Sequence, residues 1–238
     1  MTAPDQSDIG QSNSKDRLEG ALAKQTAKRQ LLGRERYDPA SKILRVMAAA
    51  REEFALSGFE GAKVEHIARR AGVTKQLVYF YFASKDELYS EVLRDIAKGT
   101  YEKLLAIDYD SLQPVDAVRQ YIGALYDRYS TDQATAIVTI DQSLHDGAQI
   151  GRAPEVAVLC NTLSQKIDSV LNRGKDAGLF GPHVDTAALE FMILIIVSGS
   201  VSSRRMLTRY NEHFGLEERG TAFWREYAID FILRSISR

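Results

Sequence analysis

Between Val64 and Tyr81 the chain has little freedom of fold. Val64, Ile67, Ala68 and Ala71 recur at the three- and four-residue spacing of one helix face, and the pattern stops at Gly72. Gly72 stands four residues after Ala68, where the backbone must turn with positive φ, a conformation that costs glycine least. Ala68 is small where a second helix has to approach closely. Thr74 is a good N-cap for that second helix, which carries Leu77, Val78 and Tyr81. A short helix, a glycine corner and a Thr-capped helix in this order predict a helix-turn-helix.

The flanking segments extend the pattern. Pro39 suits a first helical turn, Ile43, Val46, Met47, Ala50 and Phe54 share one face, and Gly58 is a stop. Ser84 and Glu87 form a capping box that opens a helix bearing Leu88, Val92, Leu93 and Ile96. Further helices are expected over about 114–129, 131–145, 154–177, 185–207 and 217–235, separated by glycine, proline and asparagine clusters. No segment alternates over six or more residues, so no sheet is expected. The predicted fold class is all-α: a three-helix DNA-binding-type unit over 39–89 and a helical bundle over 90–238. Residues 1–38 are polar and weakly patterned. Their basic stretch, Lys24, Lys28, Arg29, Arg34 and Arg36, is either a solvated tail or an arm lying along phosphates.

Charge is unevenly spread. The net charge is −1, yet residues 21–89 hold 13 Lys/Arg against 8 Asp/Glu, leaving 18 against 24 elsewhere. A basic segment on an acidic body is what one phosphate-facing end produces. The single cysteine, Cys160, rules out an internal disulfide and fits a reducing compartment. The N-terminus has no apolar signal region, and the longest apolar run, 191–197, is too short to span a membrane. The expected location is therefore cytoplasmic. No glycine-rich phosphate loop, nucleophile elbow or metal-spaced cluster appears, so neither enzyme activity nor a cofactor is expected.

The segments Glu53-Phe54-Ala55-Leu56-Ser57-Gly58-Phe59, Ile67-Ala68-Arg69-Arg70-Ala71-Gly72-Val73-Thr74-Lys75, Val78-Tyr79-Phe80-Tyr81-Phe82 and Ser84-Lys85-Asp86-Glu87-Leu88 resemble the TetR family of transcriptional regulators. Gly174-Lys175-Asp176-Ala177-Gly178-Leu179-Phe180, followed by an aspartate and an apolar helix, is similar to its C-terminal domains. Three departures stand out. Ala62 and Lys63 replace a capping Thr or Ser, Gln76 replaces a small residue, and Phe80 and Tyr81 fill positions of which one is commonly His.

The resemblance implies a homodimeric repressor of a palindromic operator, released by a small-molecule effector. An effector-independent activator or architectural factor is the alternative. It places the second helix in the major groove, with Thr74, Lys75, Gln76, Tyr79 and Phe80 toward double-stranded DNA. Gln76 can pair with adenine, and Lys75 with guanine or phosphate. Lys63 and Lys85 are expected at phosphates, Lys85 because it lies at a helix N-terminus. The helix opening at Ser84 is expected to transmit effector binding, with the loop 146–151 pressing on it.

In the body, Phe191 to Val197 is apolar on all sides and so must be buried all round. Phe191, Ile195, Ser198 and Ser202, with Phe223, Tyr227 and Phe231 on the last helix, are the candidate dimer interface. Candidate effector contacts are Tyr126, Tyr129, Asp141, Gln142, His145 and Asn161. Asp141 and His145, four apart, also fit a metal pair, an acid/base pair or a surface pair; the last is favoured.

Overall fold

The computed structural model describes residues 38–144, 153–203, 206 and 220–238, without the side chains of 142–144. Among these residues the chain forms helices α1 (Pro39–Gly61), α2 (Val64–Ala71), α3 (Lys75–Tyr81), α4 (Lys85–Leu105), α5 (Pro114–Thr131), α6 (Gln133–Leu144), α7 (Pro154–Asp176), α8 (Thr186–Ser202) and α9 (Thr221–Ile236). No strand occurs among them, only a single bridge between Phe180 and Ser237.

The helix starts follow local chemistry. Asp38 Oδ1 accepts from the Ala40 amide at 3.1 Å and Pro39 occupies the first turn of α1. Gly58 interrupts α1 with φ 65°, and a last turn runs on to Gly61. Gly72 ends α2 in the left-handed conformation, φ 65° and ψ 39°. Thr74 Oγ1 accepts from the Leu77 amide at 3.2 Å, and Ser84 Oγ from the Glu87 amide at 3.0 Å. Glu87 reaches back to the Ala83 amide at 2.9 Å, one residue earlier than the expected capping box.

Two apolar cores form. The first packs Val46, Ala50 and Phe54 of α1 with Ile67, Ala68 and Val78 of the helix-turn-helix and with Leu88, Val92 and Ile96 of α4. Val138 of α6 joins it, so this core draws on the body. The second gathers α5, α7, α8 and α9 around Ile122, Ile167, Leu171, Ile193 and Ile229. Helix α4 contributes to both cores, so the expected boundary at residue 89 falls inside one continuous helix.

Beyond α7 the chain turns at Gly178, φ 68°, and the Leu179 and Phe180 amides both donate to Gly174 O. This folds the Phe180 ring onto α7, where a Cβ on Gly174 would meet it at 2.1 Å. The glycine is therefore required by packing.

Helix α8 buries Leu189, Ile193, Val197 and Val201 in its own protomer, while Phe191 is 61% exposed and Met192 52%, so among the described residues its outer face is left for another surface to cover. Ser198 is a correction to the expected interface. It is buried and its hydroxyl donates to Leu194 O, because it lies in register with the inward row.

Candidate nucleic-acid interface and effector cavity

Glu53 organises the approach of α2 to α1. It is buried at 3% exposure, and its Oε1 lies 3.0 Å from His66 Nδ1 and accepts from the Lys63 amide at 3.4 Å. Arg70 adds a longer ion pair to the other oxygen, at 3.8 Å. With α2 fixed, Ala68 and Val78 bury the inner sides of α2 and α3. The outer side of α3 then consists of Thr74, Lys75, Gln76, Tyr79 and Phe80, all exposed. Phe80 is 78% exposed and stands beside Tyr79 on this outer side. Tyr81 and Phe82 turn inward.

The basic groups are arranged differently from the sequence reading. Lys75 pairs with Glu65 of α2 and lies 5.6 Å from the Tyr79 ring centroid. That pair raises the Lys75 ammonium and lowers the Glu65 carboxyl relative to their ordinary values. Lys85 donates to Phe59 O at 2.9 Å, Glu60 O at 3.3 Å and Ala62 O at 3.4 Å, over the Phe59 ring. It thus ties the N-terminus of α4 to the end of α1, satisfying carbonyls the kink leaves open. Lys63 is exposed, at the start of α2 without a side-chain cap. Arg45, which the sequence reading did not single out, lies beside the turn, its Nη1 3.5 Å from where a Gly72 Cβ would sit. Its place on the polar side of α1 was the available signal.

In the body a cavity of about 310 Å³ lies among α4, α5, α6, α7 and α8. Its wall is mainly apolar, with Leu93, Ile96, Ala97, Leu104, Leu125, Leu163 and Leu194. Tyr101, Tyr121, Tyr129, Thr100, Thr139, Cys160, Ser164 and Glu190 supply the polar atoms, and Phe191 lines the same space. Burial raises the Tyr101, Tyr121 and Tyr129 phenols above their ordinary value. Glu190 adds to this for Tyr101 and Tyr121, and Cys160 for Tyr101.

Of the expected effector contacts whose side chains are described, only Tyr129 lines this cavity. Tyr126 is buried in the core nearby but does not reach the wall. Asn161 is exposed on α7. Asp141 faces the other way: its Oδ2 accepts from the Tyr89 hydroxyl at 2.7 Å. The Gln142 side chain, His145, and the loop expected to press on α4 lie outside the described residues, as do the first 37 residues. Tyr101, Thr139, Ser164 and Glu190 were missed. Glu190 carried a signal, a carboxylate next to a seven-residue apolar run.

Exposed aromatic residues also gather on α9. Phe223, Tyr227 and Phe231 point outward, with Phe223 and Tyr227 stacked at 5.8 Å. Ile195 and Phe191 of α8 are exposed as well. Ser202 is half-buried, its hydroxyl donating to Gly199 O at 3.3 Å. Among the described residues no group of three or more His, Cys, Asp or Glu side chains is placed to hold a metal, and no helix is long and apolar enough to cross a membrane.

A helix-turn-helix with an exposed second helix, joined through a shared long helix to a helical body with a partly open cavity, defines a DNA-binding transcriptional regulator. Residues 46–92 match the model of bacterial regulatory proteins of the tetR family, and 114–232 match the tetracyclin repressor-like C-terminal domain. The chain belongs to the TetR family.

Among its relatives is the HTH-type transcriptional repressor NicS of Pseudomonas putida, 22% identical over 81% of this chain and 91% of that protein. The regulator RutR of Escherichia coli is 39% identical over a shorter stretch, 32% of this chain and 36% of its own. The solved structure of the ketosteroid regulator KstR2 of Mycobacterium tuberculosis superposes with a TM-score of 0.62 at 20% identity, over 84% of this chain and 97% of that one. A tetR-family protein from Rhodococcus gives 0.65 at 17% identity, over 82% and 97%.

Proposed function

We propose that this protein is a homodimeric repressor released from a palindromic operator when a small molecule fills the body cavity. Residues 39–89 act as the DNA-binding part and 90–238 as the regulatory and dimerising part. Two α3 helices enter adjacent major grooves about 34–36 Å apart. Gln76 and Tyr79 meet base edges and sugar-phosphate, and Phe80 lies against the groove wall or a thymine methyl. Lys75 exchanges Glu65 for DNA on binding, while Lys85 acts by holding α4 against α1. The exposed faces of α8 and α9, with Phe191, Ile195, Phe223, Tyr227 and Phe231, make the twofold contact, and each copy buries what the other leaves in water. The protein acts in the cytoplasm as a regulator and not as an enzyme.

One observation carries the link between cavity and DNA. Thr139 of α6 lines the cavity, its neighbour Val138 is buried in the N-terminal core, and Asp141 two residues on is bonded to Tyr89. At the start of the same helix Asp132 accepts from Arg51 of α1 at 2.9 Å. A ligand that moves α6 therefore moves the unit carrying α3. It shifts the population between two orientations by its differential affinity for them. Selection of bound duplexes from a random pool tests the reading. A palindromic consensus is expected; recovery of no consensus at moderate salt refutes it.

A further inference from the structure

The cavity identifies the chemistry of its occupant, given that it is the effector site. Among the described residues Glu190 is the one carboxylate on its wall, and no lysine, arginine or histidine lies there with it. Its Oε2 accepts from Ser164 Oγ at 2.6 Å. The other charge acting on it is Asp168, also negative, which adds to burial in holding the carboxyl above its ordinary value. Tyr101 and Tyr121 share the wall with it, their phenols kept neutral by burial and by Glu190 itself. The described wall thus combines an acid with no basic side chain beside it among the described residues, neutral aromatic rings and an aliphatic floor of Leu93, Ile96 and Leu125.

Three classes of small molecule respond differently to such a wall. An anion meets like charge in a medium that screens poorly. A neutral apolar molecule fills the volume but leaves the carboxyl with Ser164 as its hydrogen-bond donor. An organic cation supplies a counter-charge, a charge-assisted hydrogen bond and contact with ring faces at once. We propose that the effector is an apolar organic cation, an amine on an aromatic or alicyclic frame, with its ammonium at Glu190 between the tyrosines.

The test uses the full-length protein and three probes on one carbon frame: phenylbutylamine, phenylbutanol and phenylbutyrate, each titrated by calorimetry. The amine is expected to bind best and the carboxylate worst, with the amine ahead of the alcohol by about tenfold. Glu190→Gln keeps an acceptor for Ser164 and should bring the amine down to the level of the alcohol, while Glu190→Asp keeps the preference. Equal binding of amine and alcohol by the parent, or an amine preference that survives in Glu190→Gln, overturns the inference and leaves the cavity as the effector site. Should none of the three bind, the cavity reading fails and the inference with it. If Glu190→Gln does not fold, the order of the three probes on the parent decides.

Discussion

Tyr89→Phe isolates the contact between the two halves of the molecule. The Tyr89 ring is 2% exposed and packs edge-on against Phe54 at 4.7 Å and near Phe59 at 4.9 Å. A phenylalanine keeps those contacts and removes only the hydroxyl that donates to Asp141 Oδ2. A hydrogen bond to a charged acceptor contributes about 1.5–3 kcal/mol, and the partial exposure of Asp141 favours the lower end. For a chain of this length about 1.5 kcal/mol lowers the melting temperature by roughly 3–6 °C. Protomer concentration must be held fixed, because the proposed dimer would add to apparent stability. If the bond also holds the orientation that grips DNA, operator affinity falls by at most about tenfold, the same free energy expressed as an equilibrium. Thermal denaturation and fluorescence anisotropy on a selected operator measure the two effects. A double-mutant cycle with Asp141→Asn should give a coupling energy above about 0.5 kcal/mol. Strict additivity of the two changes would refute the contact, and an unchanged melting temperature in Tyr89→Phe alone would do the same.

Gly174→Ala drives a methyl into the Phe180 ring and should cost about 1–3 kcal/mol, read as a lower urea midpoint; an unchanged midpoint contradicts the packing. Phe231→Asp puts a charge on the exposed face of α9 and should yield monomers in sedimentation velocity, with a folded helical spectrum; a persisting dimer places the interface elsewhere. Burial works to raise the Asp132 carboxyl, but the hydroxyl and amide of Thr135 and the Arg51 guanidinium outweigh it and leave it below its ordinary value. Its stabilisation is therefore complete above the unfolded-state pKa, about 3.9, and is lost as pH falls through that value to the lower folded one. Asp132→Asn should flatten the acid limb of stability against pH, and an unaltered limb would show that the carboxylate is not held this way.

The local elements were legible because their causes are local. Gly72, Thr74, Ser84 and the apolar spacings of α1 to α4 act within one or two helical turns, so order and identity of neighbours suffice to place them. The exposed residues of α3 followed for the same reason: once Val78 and Tyr81 face inward, helical geometry turns Gln76 and Phe80 outward. The apolar character of α8 was evident too, though not which of its faces its own chain covers.

Long-range pairing decided the rest. Lys85 was expected at a phosphate, but the kink at Gly58 brings three carbonyls within its reach from residues 23–26 positions away. Asp141 was expected in the effector site, but α6 lies between the two cores, so Thr139 faces the cavity while Asp141 meets Tyr89. The cavity wall joins faces of five helices, and no spacing along the chain encodes which of those faces converge. Residue type and period govern what a helix is; what its side chains can touch depends on how separate helices stack, and that only packing settles.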